Sequence, residues 1–329
     1  MITLEHDSLV FRYPEIHEDA VLRIDFQRTL RIPDDNREYP LPPGLGRFPL
    51  QHVDDFSKNV PSSWVKHGGV FLPMYQAEAL WIGFSSPHDY MFAVKIAAGK
   101  INAVTGEGWS NKLSSSPQDY VVVPEQPWLD GFCIGKGLIR QFVAMPLGQG
   151  YTTEEQLSGK GDHGGIQIIA YPIKADIFEK MKPLEVIDIF YESCEEEQDS
   201  YSIGLAPGGV MKQEIYEDPY GCEAWEHSTS SRCFIHLLNS VQYAVVTGKA
   251  PLTKPFSAKD YTNAGLPWFD YYDADAKALN GSALLAKLDS IAAKGIKKGE
   301  KPLPENDLVN FVNVKKLVKV PGMVREGDF

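Results

Sequence analysis

The sequence predicts an α+β fold, built on a mostly antiparallel β-sheet or sandwich with a few peripheral helices. Three observations predict it. Segments rich in β-branched and aromatic residues outnumber segments with helical periodicity. Glycine-containing turns join several neighbouring strand segments, and short turns of this kind connect antiparallel strands. The chain also lacks the alternation of strands and helices, with a glycine-rich phosphate loop, that is typical of parallel α/β folds.

The predicted strands follow from alternation and composition. Val21–Ile32 alternates apolar and polar residues and ends at a turn from Pro33 to Asn36, which predicts a strand with one solvated face. Two hairpins are predicted, one turning at Ala98–Gly99 and one turning at Pro207–Gly209. The arms of these hairpins and the other predicted strands are Met91–Ala97, Lys100–Val104, Tyr120–Val123, Leu138–Met145, Ile166–Tyr171, Glu185–Glu192, Tyr201–Ala206, Val210–Tyr216 and Val309–Val320.

Four helices are predicted. Ser230–Val246 carries apolar residues at helical spacing and ends before Gly248, which would place His236 on its more polar side. Ala283–Lys294 has a Ser282 cap and a buried stripe of leucine, isoleucine and alanine. The two shorter helices are predicted over Pro73–Trp81 and Lys174–Met181.

The composition is that of an ordinary folded protein, and it argues against several functional classes. The 329 residues are 43% hydrophobic and carry a net charge of −12. Basic residues are scattered, so the chain lacks the concentrated positive surface of a nucleic-acid-binding protein. An acidic surface also repels anionic membranes. We therefore expect neither a nucleic-acid partner nor a membrane partner.

The cellular location and the domain count follow from the same data. The sequence shows no secretory leader, and four cysteines are too few for a disulfide framework, so we expect a cytoplasmic protein with reduced thiols. We expect residues 1–329 to form one compact unit. The alternative is two sublobes, 1–192 and 200–329, that meet near the acidic segment Glu192–Ser200.

The densest group of chemically active side chains lies in Gln213–His236. Two carboxylates held close together push their pKa values apart, which provides one acid and one base. A carboxylate with two imidazoles is also able to hold a divalent metal, although a spacing of nine residues between the histidines matches no standard zinc motif. The alternative is a strand that continues into a polar loop and a helix. The candidate catalytic residues are Glu214, Glu217, Asp218, His227 and His236.

Further candidates for ligand binding lie outside this segment. The Pro124–Gly131 block is a proline-bounded loop that would present a Trp and carboxylates to a small ligand, and Gly265–Asp273 would form an aromatic platform. For the first, the alternative is that Trp128 packs into the core, and for the second it is a packed corner fixed by Pro267. The Gly159–Gly165 loop, with a titratable tip, is either a lid over a site or a plain surface loop. The candidate ligand-binding residues are Glu125, Trp128, Asp130, Trp268, and Arg140 or Arg232 for an anionic group.

Three sequence blocks carry a resemblance to a known family. They are Pro124–Gly131 (PEQPWLDG), Gln213–Gly221 (QEIYEDPYG) and Gly265–Tyr272 (GLPWFDYY). Together they resemble a family of uncharacterised bacterial and fungal proteins. That family has no known activity, so the resemblance implies no site residues and no cofactor.

These observations lead to one functional expectation and one alternative. We expect a cytosolic enzyme that acts on a small polar molecule by acid–base chemistry of carboxylates and histidines. The alternative is a non-catalytic ligand-binding or assembly protein whose aromatic loops form an interface, for example in a homo-oligomer. The two differ in whether the carboxylates and histidines converge in space.

Overall fold

The computed structural model describes residues 1–35, 37–181, 203–250, 252–272, 276–301, 303, 309 and 313–318. Within these residues, 17 strands form one extended sheet and two more form a separate pair. Most of the pairings are antiparallel, and the helices are short. The predicted α+β fold with a mostly antiparallel sheet is therefore confirmed. No helix of these residues is long and apolar enough to cross a bilayer.

The elements are numbered in chain order. The strands are β1 Ile2–Glu5, β2 Ser8–Arg12, β3 Val21–Thr29, β4 Glu38–Tyr39, β5 Gly44–Arg47, β6 Gln51–His52, β7 Val70–Met74, β8 Ala79–Ser85, β9 Phe92–Ala98, β10 Ile101–Asn102, β11 Val121–Val123, β12 Trp128–Leu129, β13 Gly131–Gly135, β14 Leu138–Pro146, β15 Ile166–Pro172, β16 Ile203–Lys212, β17 Ser231–Asn239, β18 Trp268–Tyr272 and β19 Val314–Val318. The helices are α1 Ser62–His67, α2 Thr153–Ser158, α3 Ala175–Met181, α4 Ser240–Thr247, α5 Ala258–Asn263, α6 Ala283–Ala286 and α7 Ile291–Lys298.

The extended sheet has two halves. In the first, the strands run β1, β2, β3, β8, β14 and β16, and in the second they run β7, β17, β15 and β9. The halves meet where Ile203 of β16 pairs with Leu237 of β17. Side chains from both halves belong to one continuous hydrophobic cluster, for example Phe26 of β3 and Ile168 of β15. Burial of this shared core holds the two halves together.

Several predicted elements are confirmed. Strand β3 alternates buried and half-buried residues along Val21–Thr29, as the sequence predicts. The hairpin at Ala98–Gly99 joins β9 and β10 in antiparallel register. Strands β11, β14, β15 and β19 and helix α3 lie within or close to their predicted ranges. The predicted strand Glu185–Glu192, and the segment where two sublobes would meet, lie outside the described residues.

The predicted helix Pro73–Trp81 is wrong. This segment spans the end of β7, a turn and the start of β8. The carboxylate of Glu78 accepts the backbone N–H of Tyr75 at 2.8 Å and closes the turn. Strand β8 then pairs with β3 along its whole length, so the long-range ladder outweighs the local helix propensity of Ala and Leu.

The predicted helix Ser230–Val246 is also wrong over its first half. Ser231–Asn239 is strand β17, and only Ser240–Thr247 is helical, with Asn239 as the N-cap. Strand β17 pairs with β15 on one side and with β7 on the other, so both of its edges are hydrogen bonded. Because strand side chains alternate, His236 shares a face with Phe234 and Arg232 instead of lying opposite Phe234.

The predicted hairpin at Pro207–Gly209 is wrong as well. Strand β16 continues through this tripeptide and pairs with β14, with a register shift between Arg140 and Phe142. Close packing explains why residue 209 is a glycine, because a β-carbon at Gly209 would lie 2.4 Å from the carbonyl oxygen of Pro33. The predicted single helix Ala283–Lys294 is divided into α6 and α7, and Ser290 caps the second of them.

Candidate functional site

A cavity of about 150 Å³ lies on the face of β17 that is turned away from the main core. Its floor is formed by Phe234 and His236 of β17. Its walls are α1, through Trp64 and His67, and the loop that follows α2, which contributes His163. The other lining residues are Pro61, Ser63, Leu147, Asp162, Gly164, Gly165, Ile203, Ile235 and Leu237.

Two glycines allow both walls to approach β17. A β-carbon at Gly69, which follows α1, would lie 2.1 Å from the carbonyl oxygen of Phe234. A β-carbon at Gly165 would lie 2.5 Å from the carbonyl oxygen of Ile235. Both glycines also have positive φ angles, of 91° and 60°, that other residues rarely adopt. The position of the cavity walls is therefore determined by backbone contacts that only glycine permits.

His236 is buried at the floor of the cavity. Its Nε2 lies 3.0 Å from the carbonyl oxygen of Gly68. A carbonyl only accepts hydrogen bonds, so Nε2 carries the proton. The imidazole stacks on Trp64 with a centroid distance of 4.4 Å and an interplanar angle of 17°. Burial lowers the pKa of His236 to about 4, so the ring is neutral at pH 7 with Nδ1 as its acceptor.

Replacing His236 by Phe tests this assignment. In the unfolded chain a histidine has a pKa of about 6.5. Because the folded-state pKa is about 4, wild-type stability from His236 is complete above pH 6.5 and is lost as the pH falls towards 4. Phe keeps the stacking on Trp64 but does not titrate. Between pH 7 and pH 4.5, we expect the free energy of unfolding of His236→Phe to gain about 2–3 kcal/mol relative to wild type.

Urea denaturation of both proteins at the two pH values measures this difference. His227→Phe is the matched control, because it makes the same replacement at an exposed histidine that does not line the cavity. A constant difference between His236→Phe and wild type would contradict the buried, neutral imidazole.

His163 and Glu154 form a hydrogen-bonded pair at the cavity wall. Nδ1 of His163 lies 2.9 Å from Oε1 of Glu154. The second carboxylate oxygen accepts the backbone N–H groups of His163 and Gly164 at 3.3 and 2.9 Å. The Glu154 side chain is only 5% exposed, whereas that of His163 is 32% exposed. A buried carboxylate thus orients an accessible imidazole, with its Nε2 left as the acceptor nitrogen of the neutral ring.

The position of Glu154 follows from the local sequence. Thr152 and Glu155 form a capping box at the start of α2, which places Glu154 in the first helical turn. The chain then leaves α2 and returns through the glycine-rich loop at residues 159–165, which brings His163 back over Glu154. The hydrogen bonds from the loop backbone to the Glu154 carboxylate hold this loop in position.

His67 lies at the exposed mouth of the cavity. Its ring stacks on Phe234 at a centroid distance of 5.1 Å and lies 6.4 Å from the ring of His163. Desolvation lowers the pKa of His67, and the nearby basic groups His163, Lys100, Lys66 and Arg232 lower it further. His67 is therefore neutral at pH 7 and available both as a hydrogen-bond donor and as an acceptor.

The predicted catalytic residues do not converge on this cavity. His236 lines it, but Asp218 and His227 precede Ser231, at the opposite end of β17. At roughly 3.3 Å per residue, Ser231 and His236 are about 16 Å apart along the strand. Trp225, which lies between Asp218 and His227, bridges to Ile173 just beyond the distant end of β15. The residues of Gln213–His236 are therefore divided between two ends of the sheet.

Asp218 and Glu125 come together in a network of aromatic donors. Asp218 Oδ2 accepts the hydroxyl of Tyr120 at 2.5 Å and the indole N–H of Trp225 at 2.9 Å. The hydroxyl of Tyr220 donates to Glu125. Burial, reinforced by the neighbouring carboxylates, raises the pKa of Tyr120 and of Tyr220, so these hydroxyls remain donors. The two carboxylates thus hold the loop before β17 against the sheet.

The other members of the predicted catalytic group are exposed to solvent or make hydrogen bonds that involve backbone groups. Glu217 is exposed, and its N–H donates to the carbonyl of Lys277. Glu214 is half-buried, and its carbonyl accepts from the side chain of Gln126 at 3.2 Å. His227 is exposed and contacts the carbonyl of Cys222 through Nε2 at 2.9 Å.

The candidate ligand-binding residues have separate positions. Trp128 packs between Trp81 and Tyr271, at centroid distances of 6.2 and 4.7 Å. Trp268 is fully buried, and its indole N–H donates to Thr262. Both tryptophans thus take part in packing. The remaining positions are Asp130 in the core beside Gln213, Arg140 near Gly208 and Asp34, and Arg232 over the ring of Phe234 beside the cavity.

The prediction therefore identified His236 and Arg232 near the cavity and missed Trp64, His67 and Glu154. One signal was present, because the Gly159–Gly165 loop was a candidate lid with a titratable tip, and its His163 lines the cavity. Within the described part of the chain, no group of three or more His, Cys, Asp and Glu side chains is placed to hold a metal.

Comparisons with protein-family models, with curated proteins and with solved structures give no match.

Proposed function

We propose that this protein is an enzyme that transfers a proton to or from a small polar molecule bound in the cavity, with His163 as the base. The observation that carries the proposal is the 2.9 Å contact between Nδ1 of His163 and the buried carboxylate of Glu154. A histidine oriented by a carboxylate is a recurring arrangement in acid–base catalysis. A cytoplasmic location is part of this proposal.

Glu154 and His163 have different roles in the proposed proton transfer. Glu154 keeps the proton on Nδ1, so the lone pair of Nε2 is available to a bound molecule. When Nε2 takes a proton, the ring becomes an imidazolium, and the adjacent carboxylate stabilises its charge. His163 is then able to return the proton as a general acid. General acid–base catalysis of this kind contributes about 10²–10⁴-fold to a rate.

The other lining residues determine which molecules the cavity is able to bind. Trp64 and Phe234 offer apolar surface, while His67 and the Nδ1 of His236 offer hydrogen bonds. Pockets for drug-sized ligands have volumes of roughly 300–1,000 Å³. A cavity of about 150 Å³ is much smaller, so it suits a molecule of a few non-hydrogen atoms. The acid–base class expected from the sequence is kept, but different residues perform it.

The proposal is tested with a panel of small acids, amides, amines and polyols in D₂O. Ligand-observed NMR reports binding, and deuterium incorporation or product formation reports turnover. We expect His163→Gln to lower the turnover rate by about 10²–10⁴-fold. Binding and the melting temperature should change little. Glu154→Gln should lower the rate by a smaller factor, because the charge that stabilises the imidazolium is lost while the base itself remains.

His227→Gln is the matched control, since it removes an exposed imidazole that does not line the cavity. Turnover that survives His163→Gln would refute His163 as the base. Binding at the cavity without turnover in the wild-type protein would favour the alternative, a non-catalytic ligand-binding protein.

A further inference from the structure

Three basic side chains lie close enough to His67, at the mouth of the cavity, for their charges to act on it. The guanidinium of Arg232 lies 5.6 Å from the centroid of Phe234, the ring on which His67 also stacks. Lys66 precedes His67 in α1. Lys100 follows Gly99, whose N–H donates to the carbonyl of the lining residue Gly165 at 2.8 Å. All three positive charges act on His67. In a chain of net charge −12, a group of three cations at one opening is a local reversal of the charge.

The negative charges near the same opening do not cancel these three positive charges. Glu154 is committed to His163 and to two backbone N–H groups. Asp162 also lines the cavity, and it opposes the cations with a single charge. Three cations against these two carboxylates favour a ligand with one negative charge over a dianion.

We infer that the molecule bound in this cavity is a short-chain carboxylic acid in its ionised form, with its carboxylate held by Arg232 at the mouth. The inference rests on the proposed function and adds the substrate class. Arg232 donates to the side-chain oxygen of Asn111 through Nη1 at 3.2 Å, which leaves further N–H groups of its planar fork for a carboxylate. The apolar body of the acid would lie against Trp64 and Phe234, within reach of His163.

Propionate and propionamide distinguish charge recognition from simple fit, because they have the same shape and differ in charge. Each is titrated into the full-length protein while the ring signals of His67 and His163 are followed by NMR. We expect propionate to bind at least tenfold more tightly than propionamide and to raise the pKa of His67, since a nearby anion favours the imidazolium. Arg232→Gln should weaken propionate binding by about tenfold and leave propionamide binding unchanged.

Arg37→Gln is the matched control, because Arg37 is a half-exposed arginine that pairs with Asp35 and is not one of the charges that act on His67. Equal affinity for acid and amide, unchanged propionate binding in Arg232→Gln, or no binding of either probe would each overturn the inference. None of these results depends on turnover, so the base role of His163 is tested separately. Conversely, the wild-type protein could bind propionate selectively while turnover survives in His163→Gln. That result would support the carboxylate site at Arg232 and refute His163 as the base.

Discussion

Replacing Arg28 by Met is expected to lower the free energy of unfolding by about 3–5 kcal/mol, the cost typical of leaving a buried charge without its partner. Arg28 lies on β3, and its Nε donates to Oε1 of Glu78 at 2.8 Å. The two side chains are only 3% and 1% exposed. Met fills much of the same volume, so the loss comes from the charge that remains on Glu78 rather than from a large void.

Three contacts make this ion pair a junction. Glu78 also accepts the N–H of Tyr75 and so closes the turn between β7 and β8. Arg28 donates to the carbonyl of Thr253, and its guanidinium lies 5.7 Å from the centroid of Phe48. The pair therefore connects β3, the turn and a distant segment of the chain. Burial raises the pKa of Glu78 even with Arg28 present, and removing the guanidinium should raise that pKa further.

A double-mutant cycle measures the effect. Urea denaturation is compared for wild type, Arg28→Met, Glu78→Gln and the double variant. The double variant should recover much of the loss, because neither partner is then left as an uncompensated charge. Arg12→Met is the control: its pair with Glu5 is about one-third exposed and screened by solvent, so its loss should cost far less than the loss of the buried pair. A loss below 1 kcal/mol in Arg28→Met would refute the ion pair as a structural junction.

Strand β3 shows what the sequence alone is able to predict. Its alternation is a local pattern, and the structure buries every second residue from Leu22 to Phe26 as that pattern predicts. Strand β17 shows where local patterns fail. The apolar residues after Ser230 also match a helical stripe, and the strand forms because β15 and β7 supply both hydrogen-bonding edges. Those partners lie more than 60 residues away along the chain, so no local window contains them.

The candidate site was hard to predict for the same reason. Glu154 and His163 are close in sequence, and the glycine-rich loop at residues 159–165, which contains His163, is a candidate lid. His67 comes from an element almost 100 residues earlier, and His236 from one over 70 residues later. The close approaches at Gly69 and Gly165 bring these histidines to one cavity. The density of active groups in Gln213–His236 indicated a site, but the strand direction separates them.

Asp130 provides the second large effect, which is a dependence of stability on pH. Its carboxylate is buried beside Gln213, which donates to Oδ2 at 2.8 Å and accepts the N–H of Asp130 at 2.9 Å. Burial raises the pKa of Asp130 to about 7. In the unfolded chain this pKa is about 3.9. Between these values the folded protein keeps a proton that the unfolded chain releases, so the contribution of Asp130 to stability falls as the pH rises from 4 to 7.

Asp130→Asn removes this titration while it keeps the shape of the side chain and an acceptor for Gln213. Each pKa unit corresponds to about 1.4 kcal/mol, so the variant should gain about 4 kcal/mol relative to wild type between pH 4 and pH 8. Urea denaturation at intervals across this range measures the gain. Asp35→Asn is the control: hydrogen bonds from Tyr39 and Arg37 lower the pKa of Asp35, so its difference from wild type should stay constant above pH 5.

The sign of the change identifies the group that causes it. His236 makes wild-type stability rise with pH over nearly the same interval in which Asp130 makes it fall, so the two contributions offset each other. Wild type alone should therefore show a shallow profile between pH 4 and 6.5, while Asp130→Asn should reveal a rising one and His236→Phe a falling one. If both variants kept the wild-type profile, both groups would have ordinary pKa values. That result would refute both the neutral His236 imidazole in the cavity and the buried proton on Asp130.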